Sequence, residues 1–274
     1  MKKTFLFMIF MMMGIWCVTM TSCGGDDPAP TQQTGNDDKE EGNGTTDNSD
    51  NPNKPDETVK YQYVDLGLPS GTLWATFNVG ATKPEESGDY FAWGETASDG
   101  KIYKGDDDQI IKNYFDWPSY KYCNGGESDF ELTKYCQDKF YGYRGFTDGK
   151  TELDLADDVA YNKWGMGWRM PSSSQMEELI DGSYTTLEWT VLNHVAGLKI
   201  TGKKNGNSIF LPAAGHRVIF KLADKDTVCH YWARSLYTNQ PSFAFNLVFG
   251  SDGGHADYIT RRCYGLSVRP VRNQ

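Results

Sequence analysis

The histidines and carboxylates of this 274-residue chain form none of the spacings that catalytic sites require. The four histidines are separated along the sequence: His194, His216, His230 and His255. They give no H-E-x-x-H pattern and no paired metal-ligand spacing. Glu177 and Glu178 are adjacent on a predicted helix and point in different directions, which suits acid–base pairing poorly. With no nucleophile elbow or phosphate loop either, the chain is predicted not to be an enzyme, and no cofactor or metal is expected.

Cys23 has a distinct setting, because it ends an N-terminal segment with the layout of a secretory signal. Lys2 and Lys3 precede a short apolar run over residues 5–18, and small residues follow the run. The run is shorter than the ~20 residues that a membrane-spanning helix needs. Residues 1–22 are therefore predicted to be a signal peptide.

The residues around Cys23 also resemble a known targeting signal. Met20-Thr21-Ser22-Cys23 resembles the lipobox of bacterial lipoproteins, in which the cysteine receives lipid and becomes the mature N-terminus. Gly24-Gly25-Asp26-Asp27 resembles the acidic export tag of Bacteroidetes surface lipoproteins. The resemblance implies that Cys23 is lipidated and that the protein is anchored in the outer membrane, facing the cell exterior.

The charge of the chain limits its partners. It has 27 basic and 37 acidic residues, a net charge of −10, and loss of the signal would remove Lys2 and Lys3 as well. Such a charge repels phosphate backbones and anionic lipid surfaces. Nucleic acid is therefore not an expected partner, and contact with the membrane is expected only through the lipid anchor.

A change in composition near residue 60 predicts the domain organisation. Residues 24–60 are rich in Asp, Asn, Gly, Thr, Pro and Glu and contain almost no large apolar side chain. Such a segment cannot bury enough area to offset the entropy of ordering. We predict a lipidated cysteine with a disordered acidic tether over 23–60, and one folded domain over 61–274.

The four cysteines of the folded domain are candidates for disulfide bonds, since an exported protein meets an oxidising compartment. They are Cys123, Cys136, Cys229 and Cys263. Four cysteines allow three connectivities. We favour Cys123–Cys136, which is local, with Cys229–Cys263 joining two late segments.

Hydrophobic periodicity predicts two helices followed by short strands. One helix is expected over 153–164, and a second should begin at Ser172 or Ser173, where Ser172 and Gln175 form a capping-box signature. Strands are predicted over 64–68, 72–77, 187–192, 198–201, 208–211, 231–236, 243–249 and 266–271, with a turn at 203–207. Residues 98–150 are predicted to be a long insertion of loops. This order of elements indicates an α+β fold.

Several of these segments carry a specific resemblance. The matching segments are 64–76 (Val-Asp-Leu-Gly-Leu-Pro-Ser-Gly-Thr-Leu-Trp-Ala-Thr), 78–81 (Asn-Val-Gly-Ala), 88–95 (Gly-Asp-Tyr-Phe-Ala-Trp-Gly-Glu), 168–171 (Trp-Arg-Met-Pro), 210–215 (Phe-Leu-Pro-Ala-Ala-Gly), 231–232 (Tyr-Trp) and 267–271 (Ser-Val-Arg-Pro-Val). In this order they resemble the Fibrobacter succinogenes major paralogous domain family. The resemblance covers about residues 63–272 and implies a C-type lectin-like domain with two helices, short and mostly antiparallel strands, and long loop insertions.

In C-type lectin-like folds the late strands and their loops form the ligand-binding face, and related folds display diversified residues there. The resemblance places that face within residues 231–264. The exposed candidates are Arg234, Tyr237, Asn239, Asn246, Asp252, His255, Asp257, Tyr258 and Arg261. Tyrosine, asparagine and arginine suit recognition of an extracellular protein or a glycan. The alternative is that these are ordinary polar residues of loops and outward strand faces.

Two narrower functions implied by related folds fit less well. Calcium-dependent lectins place a carboxylate where this chain has Gln240-Pro241-Ser242, although Asp106, Asp107 and Asp108 could supply oxygen ligands elsewhere. Formylglycine-generating enzymes use two close cysteines on a late strand. Here Cys229 lacks its partner near Ser235, so Cys263 would have to approach it in space.

The prediction is therefore a cell-surface lipoprotein that displays a ligand-binding domain, with a diversified adhesin as one form of it. A structural or tip subunit of a surface assembly is the alternative, and an oxidase of the formylglycine-generating type is a more remote one.

Overall fold

The computed structural model describes residues 61–98, 102–104, 110–126 and 128–273. The predicted signal peptide over 1–22, the tether over 23–60 with its lipidated Cys23, and Asp106, Asp107 and Asp108 lie outside the described residues. The described residues all belong to the folded domain that the sequence predicts over 61–274.

The described chain is a sheet-rich α+β structure. Its two α-helices are α1 (Val159–Trp164) and α2 (Ser173–Ile180). Its strands are β1 (Tyr63–Asp65), β2 (Leu73–Ala75), β3 (Ile102–Lys104), β4 (Ile110–Lys112), β5 (Thr185–Leu192), β6 (Val195–Gly202), β7 (Ser208–Pro212), β8 (His216–Val218), β9 (Lys221–Ala223), β10 (Val228–Leu236), β11 (Phe243–Gly250), β12 (Gly253–Arg261) and β13 (Val271–Arg272). Every pair of these strands is antiparallel, which confirms the predicted α+β class.

The helices begin where side chains cap them. Helix α2 starts after Ser172, whose hydroxyl accepts from Gln175 N at 3.1 Å while Gln175 Oε1 accepts from Ser172 N at 2.9 Å. The capping box and the helix that it predicted are confirmed. The predicted helix over 153–164 is shorter, because Asp158 in an extended conformation caps α1 and leaves only a 3₁₀ turn, Leu155–Asp157, before it.

The strands form five small sheets. Strands β1 and β2 pair with β13, so the first and last segments of the domain meet in one sheet. The predicted strand over 266–271 is regular only at its end, because Leu266 and Ser267 instead form single bridges to Phe91 and Tyr231. Strands β5, β6 and β7 form a meander, with the predicted turn at 203–207 between the last two.

The third large sheet has the order β10-β11-β12 and contains the predicted ligand-binding segment. Strand β12 was not predicted, since it begins with Gly253 and Gly254 and carries polar side chains that are uncommon in strands. Among the described residues β12 pairs only with β11, so it is the edge of its sheet.

Two buried clusters hold these sheets together. The first is aromatic and includes Trp93, Trp117, Tyr120 and Tyr135, so the loops of 110–150 contribute much of its volume. The second is mainly aliphatic and lies between α2, the meander and one face of the β10–β12 sheet, where Leu198 is a fully buried member. The described part of the loop insertion predicted over 98–150 is thus mostly irregular, as expected, and it is packed.

Two fully buried arginines connect these layers. Arg269 donates to Asn78 Oδ1 at 2.8 Å, to Ala75 O at 3.0 Å and to Phe210 O at 2.9 Å. Arg262 makes a similar set of bonds in the aromatic cluster. Because every one of these acceptors is a neutral oxygen, the two side chains act as fixed structural cross-links.

No helix in the described part of the chain is both long enough and apolar enough to cross a membrane.

Candidate functional site

The predicted ligand-binding residues are distributed over the whole β10–β12 sheet and its connections. Those that are exposed are Asn239, Asp252, His255, Asp257, Tyr258 and Arg261. The remaining three, Arg234, Tyr237 and Asn246, are partly or wholly buried. The nine residues therefore do not form one continuous face.

Arg234 is engaged by neighbouring groups within the domain. Its Nε donates to Glu152 Oε2 at 3.1 Å, and its Nη1 donates to Met170 O at 3.0 Å and to Gln175 Oε1 at 3.1 Å. These bonds attach β10 to the first turn of α2. The prediction that Arg234 is exposed is wrong, because its side chain is partly buried and its donors bond Glu152, Met170 and Gln175.

Asn246 is fully buried, which corrects its prediction as an exposed residue. It lies in the middle strand β11, between Trp232 on β10 and Tyr258 on β12. Neither its amide nitrogen nor its amide oxygen has a hydrogen-bond partner among the described residues. A buried amide without hydrogen-bond partners lowers the stability of the domain. This amide lies directly beside the exposed Tyr258.

Replacing Asn246 with leucine should therefore stabilise the domain. Each unpaired buried polar group costs about 1–3 kcal/mol, so Asn246→Leu should raise the free energy of unfolding by about 1 kcal/mol or more in urea titration. Asn78→Leu is the matched control, because Asn78 is equally buried but bonds Arg269, Tyr231 and Ser87. It should lower the same quantity by about 3 kcal/mol. If Asn246→Leu and Asn78→Leu lowered the free energy of unfolding equally, the unpaired state of Asn246 would be contradicted.

The turns of the sheet separate other predicted residues. Asn239 lies in the connection before β11 and Asp252 in the turn after it. Because β11 has 8 residues, these turns are roughly 25 Å apart at about 3.4 Å per residue. Tyr237 is half-buried and packs edge-on against Phe245, with ring centroids 5.5 Å apart. One ligand of modest size could not contact both ends.

A bulge in the edge strand brings two of the exposed residues to one side. Between Asn246 and Val248 the register with β12 shifts, so that Tyr258 faces Asn246 and His255 faces Val248. Asn246 and Val248 are two residues apart and share a face, so Tyr258 and His255 share it too. Tyr258 is 52% exposed.

Arg261 belongs to the opposite face, because it pairs with Phe243 at an odd position of β11. His255 and Tyr258 share the first face, and the exposed Asp257 lies in the bulge between them; we call these three residues the edge-strand surface. It combines one flat aromatic ring with an imidazole and a carboxylate on an unpaired strand edge.

The four domain cysteines are free thiols, which contradicts both predicted disulfides. Cys123 Sγ donates to Ser128 O at 3.0 Å and Cys136 Sγ donates to Asp138 O at 3.1 Å. Each thiol donates to a nearby backbone carbonyl instead. Cys123 and Cys136 are therefore close in sequence but not bonded to each other.

Cys229 and Cys263 are separated by the layers of the fold. Cys229 belongs to the aliphatic cluster and Cys263 to the aromatic cluster, and both are fully buried. Burial raises the pKa of the Cys229 thiol to about 12. A neutral, buried thiol is a poor nucleophile and a poor metal ligand, so this geometry does not match the paired cysteines of an oxidase.

A second cluster brings together His216, Asp224 and His230, none of which was predicted as a site residue. His216 begins β8, Asp224 follows β9, and His230 lies on β10. Strands β8 and β9 form a hairpin that turns Asp224 back toward His216, and the chain then continues into β10 beside both. The candidate ligand atoms of the three residues all lie within 4.8 Å of one another.

The electrostatics of this cluster keep its imidazoles neutral. His216 Nδ1 is 3.3 Å from Asp224 Oδ2, and His230 Nε2 is 3.6 Å from the same oxygen. Burial and the neighbouring His216 lower the pKa of His230 to about 4, although Asp224 opposes this. Burial also lowers the pKa of His216. At neutral pH both rings therefore have a lone pair free to accept a proton or a metal.

Sequence reasoning missed this cluster because its residues have no motif spacing. His216 and Asp224 are placed by a hairpin whose two short strands were not predicted. The usable signal was the predicted strand at 231–236 preceded by two histidines and two aspartates over residues 216–230. Predicting the site from this composition would also have required predicting the β8–β9 hairpin.

A buried carboxylate elsewhere has a structural explanation. Asp157 accepts from Lys134 Nζ at 2.5 Å and from Tyr135 OH at 2.6 Å. Burial alone would raise the pKa of this carboxyl, but the hydrogen bonds, foremost that of Lys134, lower it to about 2. Asp157 thus remains an acceptor that joins loop residues to the turn before α1.

Two further surface features are an exposed aromatic group and a pocket. Phe130, Phe140 and Tyr141 pack against one another, with Phe130 and Phe140 centroids 4.9 Å apart, although Phe140 is 68% exposed. A shallow pocket of about 400 Å³ lies on the meander, between Leu192 and Phe210. Neither surface contains a convergent set of reactive groups.

A scan against family models found no match for this chain, and searches of curated proteins and of solved structures found none that reached significance.

Proposed function

We propose that this protein is an outer-membrane lipoprotein that displays a ligand-binding domain on the cell exterior. The domain would be C-type lectin-like and belong to the Fibrobacter succinogenes major paralogous domain family. The sequence around Cys23 supports the anchor, and the segments between residues 63 and 272 support the family. The order of two helices before a set of antiparallel strands is consistent with that fold.

The edge-strand surface carries the binding proposal. Tyr258 is 52% exposed on a strand whose outer edge is unpaired among the described residues. An exposed tyrosine offers flat contact area and a hydroxyl at low entropic cost, and His255 and Asp257 supply polar contacts beside it. The ligand would be an extracellular protein or a glycan.

The test is an array of immobilised glycans and extracellular proteins, probed with residues 24–274. Tyr258→Ala should lower the affinity for the array ligand by about 30-fold, as expected for a central aromatic contact of about 2 kcal/mol. Tyr184→Ala is the matched control, since Tyr184 is 40% exposed but lies outside β12. Equal binding by the two variants would contradict the assignment of the surface.

The unpaired edge of β12 also favours a second function, in which the domain is a structural subunit of a surface assembly. An open strand edge can accept a strand from another chain. Light scattering of residues 24–274 distinguishes the two functions: concentration-dependent oligomers that disappear on placing proline at Asp257 would support assembly, and a monomer at all concentrations would support ligand binding.

A further inference from the structure

We propose that His216, Asp224 and His230 form a binding site for one divalent transition-metal ion, with zinc as the ion that these ligands favour. The site shares no residue with the edge-strand surface. The metal proposal therefore stands or fails independently of the binding function proposed above.

The ligand set is a known type for zinc. Two imidazoles and one carboxylate suit zinc, which in sites open to solvent takes three protein ligands and leaves a fourth position free. With zinc bonds of about 2.0–2.1 Å, tetrahedral ligand atoms are about 3.4 Å apart. The two histidine–Asp224 separations, 3.3 and 3.6 Å, already have this length. All the ligand atoms lie within 4.8 Å of one another, so a small movement of the two rings toward each other would complete the site.

The nitrogen atoms that would bind the ion have no other partner. His230 is 7% exposed, and neither of its ring nitrogens makes a hydrogen bond with the described residues. His216 Nδ1 is buried and unpaired in the same way. Buried polar atoms are normally paired, and the two unpaired nitrogens that face the Asp224 carboxylate, His216 Nδ1 and His230 Nε2, are positioned to share a positive ion with it.

The backbone holds the ligands in place. Asp224 O accepts from Thr227 N at 3.2 Å and from Val228 N at 3.0 Å, which closes the turn before β10. Gly215 N donates to Val228 O at 3.0 Å, and a side chain at Gly215 would come within 2.1 Å of Ala223 O. The hairpin and β10 are thus fixed to each other at the cluster, which limits the rearrangement that binding requires.

The site is open on one side. The side chain of Asp224 is 48% exposed, whereas those of His216 and His230 are 17% and 9% exposed. An ion can therefore enter beside the carboxylate and reach the buried imidazoles. The bound ion would join the β8–β9 hairpin to β10 and keep a coordination position facing solvent.

The test uses residues 24–274, purified without a polyhistidine tag and titrated with zinc alone in a calorimeter. We expect one zinc per chain. Asp224→Asn and His216→Gln should each bind at least about 100-fold more weakly, since loss of a direct ligand exceeds the 10–100-fold effects of outer partners. The controls Asp252→Asn and His194→Gln remove an exposed acid and an exposed imidazole elsewhere, and they should bind zinc as the unmodified chain does. Absence of stoichiometric binding, or equal affinity in all four variants, would overturn the site.

Nitrogen-15 spectra of the imidazoles provide a readout that does not depend on the variants folding. The chain has four histidines, and zinc should shift the ring signals of His216 and His230 only. Shifts confined to His194 or His255 would show adventitious surface binding and would also overturn the proposal. Zinc should further raise the thermal midpoint of the unmodified chain, because it binds the folded state.

Discussion

Replacing Cys23 with serine should abolish lipid attachment to the protein. Lipid at this thiol would be the membrane anchor of the mature chain, and each buried methylene of lipid contributes about 0.8 kcal/mol. The acidic composition of residues 24–60 opposes any electrostatic attachment to anionic lipid. In cells that produce the full chain, Cys23→Ser should abolish incorporation of radiolabelled palmitate.

Cys17→Ser is the control for this experiment, because Cys17 lies within the proposed signal peptide and should be removed with it. This variant should be lipidated and membrane-bound like the unmodified chain. Palmitate labelling of Cys23→Ser, or loss of labelling in Cys17→Ser, would show that the anchor has been assigned to the wrong residue.

Replacing Arg262 with methionine should give the largest loss of stability in the domain, about 3–5 kcal/mol in the free energy of unfolding. Arg262 is fully buried and donates to Tyr120 OH, Tyr135 O, Pro241 O and Lys134 O at 2.8–3.0 Å. Its removal would leave these oxygens buried with fewer donors. Urea unfolding followed by tryptophan fluorescence measures the change.

The neighbouring Arg261 provides a matched control, since it is exposed on the edge strand. Arg261→Met should change the free energy of unfolding by less than about 0.5 kcal/mol. The guanidinium of Arg262 also lies 5.2 Å from the Trp93 ring, so the near-ultraviolet circular dichroism of the aromatic cluster should weaken only in Arg262→Met. Two variants of equal stability would contradict the cross-linking role of Arg262.

Local signals in the sequence predicted the elements whose causes are local. Helix α2 has its capping box within four residues, and the turn at 203–207 has its own Gly and Asn, so both are confirmed. Strand β12 was missed because Gly253 and Gly254 have low strand propensity and its stability comes from pairing with β11. The α+β class follows from the order of elements and needed no tertiary information.

The positions of site residues depended on tertiary contacts that the sequence does not display. The family resemblance implied an exposed Asn246, but both faces of this middle strand are covered. The pairing of Cys229 with Cys263 was plausible from sequence order, and it fails because the two thiols face different clusters. The cluster around His230 arises only when the β8–β9 hairpin folds back.

Display of a ligand-binding domain outside the cell can be measured directly as binding to intact cells. Cells producing the full chain, Tyr258→Ala or Tyr184→Ala would be incubated with the labelled ligand identified on the array, after antibody labelling has shown equal surface amounts. We expect antibody labelling of all three and ligand binding by the unmodified chain and Tyr184→Ala, with about 30-fold weaker binding by Tyr258→Ala. Antibody labelling only after the cells are broken open, or equal ligand binding by all three, would contradict it.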